Sequence, residues 1–142
     1  MKLVDLNVLL YAVDEGSAHH VSARNCLEEL LNGDESVALP WVVLTGFVRL
    51  VTHRRVCPDP LDVATACDLV EEWLACGPVV VIREKPSHWR TLRTLLTASG
   101  TAANLTTDAH IAALAITHDA TVVSFDRDFR RFDGLKLVCL SS

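Results

Sequence analysis

The sequence predicts an α/β domain built on a mainly parallel sheet. Short apolar runs rich in β-branched residues recur along the chain, and such runs are typical of buried strands. The five runs span residues 2–4, 36–39, 79–82, 121–125 and 136–140. Segments with helical spacing separate them, and this alternation favours parallel strands joined by helical crossovers. Because the chain has 142 residues and half of its side chains are apolar, we expect one domain that spans residues 1–142.

Two of the intervening segments carry clear apolar faces. A helix over residues 21–32 places four apolar side chains on one face, and Gly33 is a suitable left-handed stop. These side chains are Ala23, Leu27, Leu30 and Leu31. Pro60 fits the first turn of a second helix with an apolar stripe. The stripe consists of Val63, Ala64, Cys67, Val70, Trp73 and Leu74. Both helices can flank a groove for a partner helix, but core packing explains much of the same pattern.

The remaining helices are predicted from their ends or from their overall apolar character. Residues 41–52 are apolar on almost every side, so we expect this helix to be buried all round, in the core or against another chain. Ser87 can cap a helix that runs through Leu96, and Thr106 or Thr107 can cap a helix over residues 108–118. A short helix is expected between the first strand and Asp14.

Composition excludes several classes of protein. No apolar stretch reaches the roughly 20 residues of a membrane span, and residues 1–5 lack the apolar core of a signal peptide, so we expect a cytoplasmic protein with no membrane role. The five cysteines form no CxxC pair, and we interpret them as buried thiols in a reducing compartment. They are Cys26, Cys57, Cys67, Cys76 and Cys139.

The net charge limits the ways in which the protein can bind nucleic acid. A formal charge of −5 argues against a protein that coats nucleic acid with a bulk positive field. It is compatible with a nuclease, because several acids can gather around one cation while arginines contact phosphates. The candidate arginines are Arg54, Arg55, Arg127, Arg130 and Arg131.

Aspartates follow two of the predicted strands. Asp5 comes directly after the first strand, and Asp126 follows the fourth. Asp108 opens a helix on which Ala112 and Ala115 share its face, and such small residues let a helix approach a sheet closely. Because ligands bind where parallel strands end at their carboxyl edge, we expect these acids to converge there. Asp128 lies two residues beyond Asp126 and is a fourth candidate.

Each acid also has a purely structural explanation. Asp126 can cap a turn, Asp108 and Asp128 can complement a helix dipole, and Asp5 can brace a turn through Asn7. Three or four carboxylates at one edge, however, repel one another and raise their own pKa values unless a cation neutralises them. Oxygen ligands without Cys or His suit Mg²⁺ or Mn²⁺. Such an ion polarises a phosphoryl oxygen, lowers the pKa of water and stabilises a leaving oxygen, which is the chemistry of phosphodiester hydrolysis.

Four segments of the chain resemble one family. The segments are VDLNVLL at residues 4–10, FVRLVTH at 47–53, LTTDAHIAALA at 105–115 and VSFDRDF at 123–129. They are similar, in sequence, order and spacing, to the motifs of mycobacterial-type VapC toxins, which are PIN-domain proteins. The resemblance covers essentially the whole chain. It implies a PIN fold with a five-stranded parallel sheet between helices, and a Mg²⁺-dependent endoribonuclease of a type II toxin–antitoxin module. It also implies a homodimer that a VapB antitoxin neutralises.

The resemblance also implies roles for individual residues. Asp5, Asp108 and Asp126 fall on the family's acidic positions, which implies that they bind the metal, with Mg²⁺ expected and Mn²⁺ as a substitute. Asp128 adjoins them as a fourth catalytic acid. Asn7 and Ser124 match polar positions that support the ligands from outside.

One position departs from the family pattern. Many PIN nucleases have an acidic residue in the helix after the second strand, where this chain has Gly46 before Phe47. A glycine inside a helix provides no ligand and costs about 0.5 to 1 kcal/mol relative to alanine. Asp128 is the first candidate to compensate, and Asp14 and Glu15 are weaker ones. The pattern leaves open whether the site holds one metal ion or two.

Two other functions are compatible with parts of the sequence. A non-catalytic module that binds antitoxin or RNA would result if Gly46 had disabled cleavage. A phosphatase with Asp5 as its nucleophile is the less favoured alternative, because that class usually has a second aspartate two residues on, where this chain has Asn7. The sequence does not identify which RNA is cut.

Overall fold

The computed structural model describes residues 1–141 and contains a sheet of five parallel strands flanked by six helices. The strands are β1 (Lys2–Val4), β2 (Val37–Ala38), β3 (Val79–Val80), β4 (Thr121–Ser124) and β5 (Lys136–Cys139). The helices are α1 (Leu6–Val13), α2 (His20–Leu31), α3 (Trp41–Val51), α4 (Val63–Leu74), α5 (His88–Ser99) and α6 (Thr106–Thr117). Two 3₁₀ turns cover Ala103–Leu105 and Arg127–Arg131. The predicted α/β class and all five predicted strands are confirmed.

The order of the strands is β3-β2-β1-β4-β5, so β1 lies at the centre. From β1 the chain builds outward to β2 and β3 on one side, and later to β4 and β5 on the other. The direction of winding therefore reverses between β1 and β4, which pair in parallel from Lys2 opposite Thr121 to Val4 opposite Val123. In open parallel sheets, the crevice at such a reversal is where ligands bind. Asp5 follows β1 at this point.

The central strands and α6 form the most deeply buried part of the core. Leu3, Val4 and Val122 have no exposed surface, as expected for strands covered on both faces. Residues 111–115 of α6 are all buried, and three of them are alanines. Small side chains let this helix approach the sheet closely. The helix that is buried on nearly every side is therefore α6, because its alanines permit that contact.

Helix α3 was predicted to be buried all round, in the core or against another chain, and within the single chain it is buried on one side only. Val43, Leu44, Phe47 and Val51 face the core, but Trp41 retains 53% of its surface and Thr45 and Arg49 are exposed. The stripe predicted for α4 is also only partly inward: Ala66 and Trp73 are buried, whereas Val63 and Cys67 are exposed. The outward faces of both helices are thus more apolar than core packing requires.

Several predicted helix ends differ from the structure for local reasons. Gly33 is not left-handed, because α2 ends at Asn32, whose Nδ2 donates a hydrogen bond to the carbonyl of Glu28 at 2.8 Å. Pro60 precedes α4, which begins at Val63 because Asp62 caps it by accepting the Thr65 amide at 2.8 Å. A left-handed stop occurs instead at Gly100, after α5.

The predicted caps of the last two helices form no side-chain bond. Ser87 occupies the cap position of α5 without capping it, and the helix continues three residues past Leu96 to Ser99. Thr106 and Thr107 lie inside α6, because the 3₁₀ turn runs directly into that helix and leaves Leu105 at the cap position.

The cysteines are free thiols, but only Cys57 is buried as predicted. Cys67 is exposed on the outer face of α4, and the other three are partly exposed. Within residues 1–141, no helix combines the length and the apolar character needed to cross a membrane.

Candidate active site

Asp5 is held at the carboxyl end of the central strand. Its amide donates to the carbonyl of Val123 at 2.9 Å, which continues the pairing of β1 with β4. One carboxylate oxygen, Oδ1, accepts the Leu6 amide at 2.7 Å and caps α1, and Oδ2 accepts the hydroxyl of Ser124 at 2.6 Å. Only 5% of Asp5 is exposed. The carboxylate is therefore fixed in orientation at the crevice between β1 and β4.

Ser124 and Asn7 join the ends of the two strands. Ser124 is fully buried, and its Oγ accepts hydrogen bonds from the Asn7 side-chain amide at 3.2 Å and from the backbone amide of Asp126 at 2.9 Å. Asn7 Oδ1 accepts the Phe125 amide at 3.2 Å. Ser124 thus contacts both Asp5 and the amide of Asp126, whereas Asn7 contacts Ser124 and Phe125.

Asp126 and Asp128 lie in the turn that follows β4. Asp126 caps the 3₁₀ turn by accepting the Asp128 amide at 2.8 Å, so its structural explanation is also correct. Asp128 is exposed, with Arg131 Nη2 at 3.9 Å from its Oδ1. Buried Phe129 anchors the turn in the core. Asp126 therefore lies nearer the crevice, and Asp128 forms part of its rim.

Asp108 is half-buried at the start of α6, and both burial and the charges of the other acids raise its pKa. Burial, and after it the charges of Asp5, Asp126 and Asp128, raise the pKa of Asp108 to about 7, whereas Arg131 opposes them. Burial likewise raises the pKa of Asp5, although hydrogen bonds from Ser124 and Leu6 counteract it. The fold thus brings all four predicted acids close enough to repel one another.

Asp14 and Glu15, the weaker candidates to compensate for Gly46, lie outside the cluster of acids. Asp14 caps the opposite end of α1 from Asp5 and accepts the Gly16 amide, and Glu15 follows it in the loop. Neither is among the charges that shift the pKa of Asp5 or Asp108, so the structure does not bring them into the cluster.

The predicted arginines are divided between the site and more distant positions. Arg54 and Arg55 are exposed beyond the far end of α3 and have no contact with the acids. Arg127 and Arg130 are exposed on the turn that carries Asp126. Arg131 is the arginine whose charge reaches Asp108.

Gly46 lies beside the site. A Cβ atom built on it would be 3.2 Å from Cδ2 of Leu6, the residue after Asp5. The position where family members have an acid therefore adjoins the first turn of α1. Here the side chain of Leu6 occupies the space next to it.

A chain of hydrogen bonds beside Asp108 was missed by the sequence analysis. His110 lies two residues after Asp108, and its Nδ1 is 2.9 Å from Nε2 of His88, while its Nε2 is 3.2 Å from Oε1 of Glu84. Burial lowers the pKa of His88, whose Nδ1 has no partner among residues 1–141. On the same helix, Nε2 of His118 lies 2.7 Å from the carbonyl oxygen of Arg83.

Comparison with known proteins establishes the family. The model of the PIN domain matches residues 2–135. Ribonuclease VapC37 of Mycobacterium tuberculosis is 45% identical over 136 residues, which cover 96% of this chain and 94% of that protein. The chain is a PIN-domain protein of the VapC ribonuclease family. VapC33 of Mycobacterium tuberculosis is 40% identical over 96% of this chain and 95% of its own length.

Solved VapC structures share the fold. VapBC2 of Rickettsia felis, bound to a promoter DNA fragment, contains a chain with a TM-score of 0.72 at 22% identity, covering 99% of this chain and 98% of that one. VapC20 of Mycobacterium tuberculosis, a toxin that cleaves the sarcin–ricin loop, gives a TM-score of 0.68 at 17% identity, with coverage of 96% and 99%. The PIN fold that the resemblance implied is confirmed.

PIN-domain ribonucleases are generally metal-dependent, and the donor set of this chain suits a hard cation. Within residues 1–141, no three potential ligands already surround one point at metal-ligand distances. The acids nevertheless fit such an ion by their chemistry: they offer carboxylate oxygens, Asp5 is buried, and Asp108 has its pKa raised to about 7 by burial and by the other acids. A bound cation would offset that repulsion.

Proposed function

We propose that this VapC-family protein is the toxin of a type II toxin–antitoxin module and acts in the cytoplasm as a Mg²⁺-dependent endoribonuclease. One domain, residues 1–142, would carry the activity. The observation that supports this best is the convergence of Asp5, Asp108 and Asp126 at the crevice between β1 and β4, where burial and mutual repulsion raise the pKa of Asp108. A phosphatase with Asp5 as nucleophile is disfavoured, because Asn7 is engaged with Ser124 and Phe125 and cannot act as an acid.

The residues take distinct roles in this proposal. Asp5 and Asp108 are the principal metal ligands, Asp126 completes the set, and Asp128 extends it at the rim. Ser124 and Asn7 hold these ligands in place through the hydrogen bonds described above. The arginines of the turn, Arg127, Arg130 and Arg131, are near enough to the acids to neutralise phosphates of a bound RNA.

The metal and the residues around Asp5 contribute different parts of the proposed chemistry. When bound, Mg²⁺ polarises the phosphoryl oxygen, lowers the pKa of water and stabilises the leaving oxygen. Fixed hydrogen bonds to both oxygens of Asp5 keep that carboxylate from turning, so little reorganisation accompanies the reaction. Mn²⁺ has similar ligand preferences and should substitute.

The direct test is the cleavage of RNA by the purified protein. We expect cleavage with Mg²⁺ or Mn²⁺, none with EDTA, and full recovery when Mg²⁺ is restored. Sequencing the new RNA ends would identify the substrate site. If RNA is bound but never cut at any Mg²⁺ or Mn²⁺ concentration, the protein is instead the non-catalytic module that Gly46 suggests.

We further propose that a VapB-type antitoxin binds between α3 and α4. A groove of about 350 Å³ lies there, lined mostly by apolar side chains. The whole lining consists of Trp41, Leu44, Thr45, Val48, Cys67, Val70 and Glu71. The solved structures of VapBC complexes support a partner of this kind, and an amphipathic helix suits an apolar groove. This position differs from the predicted groove between residues 21–31 and 63–74. The homodimer remains a prediction.

Trp41 is the expected anchor of that interface. Because it is 53% exposed beside the groove, Trp41→Ala should weaken the complex with the cognate antitoxin about tenfold, as is usual for a tryptophan at an interface centre. RNA cleavage by the free toxin should not change. Trp89→Ala, on α5, is the matched control for binding to the antitoxin. An unchanged antitoxin affinity of the Trp41 variant, measured by calorimetry, would exclude this groove.

A further inference from the structure

One segment of this acidic protein has a marked excess of positive charge. Residues 83–93 contain four cations, Arg83, Lys85, Arg90 and Arg93, and a single acid, Glu84. The segment has a net charge of +3 in a chain whose total is −5, which leaves −8 on the remaining residues. A small anionic ligand would not need a segment of this length, whereas a polyanion would contact several of its charges at once.

These cations are accessible and unpaired. All four are exposed, and within residues 1–141 none of them forms an ion pair with a carboxylate. The acid in the segment, Glu84, is directed to His110 at 3.2 Å instead. Arg90 and Arg93 share one face of α5, where together with Thr94 and Thr97 they line an open depression of about 480 Å³.

The same segment also carries an exposed aromatic ring. Trp89 is 66% exposed, the largest exposed fraction among the large apolar side chains of residues 1–141. It lies one helical turn before Arg93, so these two side chains are neighbours on the helix surface. Arginines beside an exposed aromatic ring suit a single strand of RNA, whose phosphates pair with the cations and whose unstacked bases can stack on the ring.

The segment is also tied to the candidate active site. Buried His88, which precedes Trp89, is bonded to His110, and His110 lies two residues after Asp108 on α6. The hydrogen bond between His88 and His110, and the contact of His110 with the Glu84 carboxylate, therefore fix the start of α5 against α6, the helix that carries Asp108.

We propose that Trp89, Arg90 and Arg93 form a binding surface for single-stranded RNA on α5, which packs against the helix that carries Asp108, with Arg83 and Lys85 extending it. This inference rests on the proposed function, since it assigns the path of the same substrate. The surface is separate from the predicted phosphate contacts at Arg54, Arg55, Arg127 and Arg130.

Binding can be measured without cleavage. The probe is a fluorescent, unstructured RNA about 12 nucleotides long, titrated with the full chain in EDTA over a range of salt concentrations. Arg90→Gln/Arg93→Gln should weaken binding about tenfold and reduce the slope of log K against log salt by about 1.4, at about 0.7 per lost phosphate contact. Arg24→Gln/Arg49→Gln removes two exposed charges from α2 and α3 and should change the slope less.

The aromatic contact has its own readout. Trp89→Ala should weaken binding about tenfold with an unchanged salt slope, because stacking involves no counterion release. It should also remove the quenching of tryptophan fluorescence that RNA causes in the wild type.

Equal affinity in the α5 variants and the control would overturn the proposal. So would a dimer, seen by sedimentation, that the α5 variants dissociate, because α5 would then contact a second copy. If binding depends on α5 but the wild type never cuts RNA with Mg²⁺, the surface stands and the proposed catalysis fails.

Discussion

Asp5→Asn is expected to lower the rate of RNA cleavage at least about 100-fold while the protein remains folded. Loss of groups that merely support metal ligands typically costs 10- to 100-fold, and we propose that Asp5 is itself a ligand. Asparagine has the same shape and keeps one oxygen that can accept the Leu6 amide as Asp5 does at 2.7 Å. Its amide has almost the same volume as the carboxylate, so the packing of the crevice should survive. Growth arrest on expression should disappear together with cleavage.

The stability of this variant separates a lost ligand from a damaged fold. Burial raises the pKa of Asp5, and Asp126 adds repulsion, so the charged form is disfavoured in the metal-free protein. In EDTA, Asp5→Asn should therefore unfold at the same temperature as the wild type or higher. The stabilisation that Mg²⁺ gives the wild type should be much smaller in the variant.

A matched control removes another acid. Asp34→Asn changes an exposed aspartate at the opposite edge of the sheet, before β2, and should alter neither cleavage nor the response to Mg²⁺. Cleavage by purified Asp5→Asn at the wild-type rate would refute the role assigned to Asp5.

The sequence predicted the features that depend on neighbours along the chain. Each strand is a short β-branched run, and Asp5 and Asp126 follow their strands directly, so parallel pairing alone brings them together. Asp108 could be oriented because it shares a helical face with Ala112 and Ala115, both of which are buried. The strand order, by contrast, depends on contacts between distant segments and was not predicted from the residues.

The features that were missed depend on contacts remote in sequence. His88 and His110 are 22 residues apart and belong to different helices, so no local spacing indicates their hydrogen bond. The open face of α3 could not be distinguished from a buried one, because apolar side chains at an interface with another chain look the same in sequence as core residues. Trp41 is the clearest example.

The helix ends show how close the competing local options are. Asn32 followed by Gly33 offers two ways to end α2, and the side-chain bond of Asn32 to Glu28 prevails. Pro60 and Asp62 likewise compete to begin α4, and the cap by Asp62 decides. Each option differs from its rival by about 1 kcal/mol, which tertiary contacts readily exceed.

Asp108→Asn should change the pH dependence of stability as well as remove most of the cleavage. The pKa of Asp108 is raised from 3.8 to about 7 in the fold, mainly by burial, so the folded metal-free protein retains a proton that the unfolded chain releases. The resulting stabilisation is complete below about pH 4 and is lost as the pH rises through 7. The free energy of unfolding in EDTA should therefore fall over this range, and Asp108→Asn, which stays neutral, should show a smaller fall. Asp5 has the same direction of shift, so part of the slope should persist. Urea unfolding at a series of pH values measures both slopes, with Asp34→Asn as the control. A variant slope equal to that of the wild type would mean that Asp108 is not the group that titrates.

Because Mg²⁺ favours the charged carboxylates, it should bind with release of protons near neutral pH in the wild type and release fewer in Asp108→Asn. The repulsion among the acids would then be the property that makes the site bind a cation.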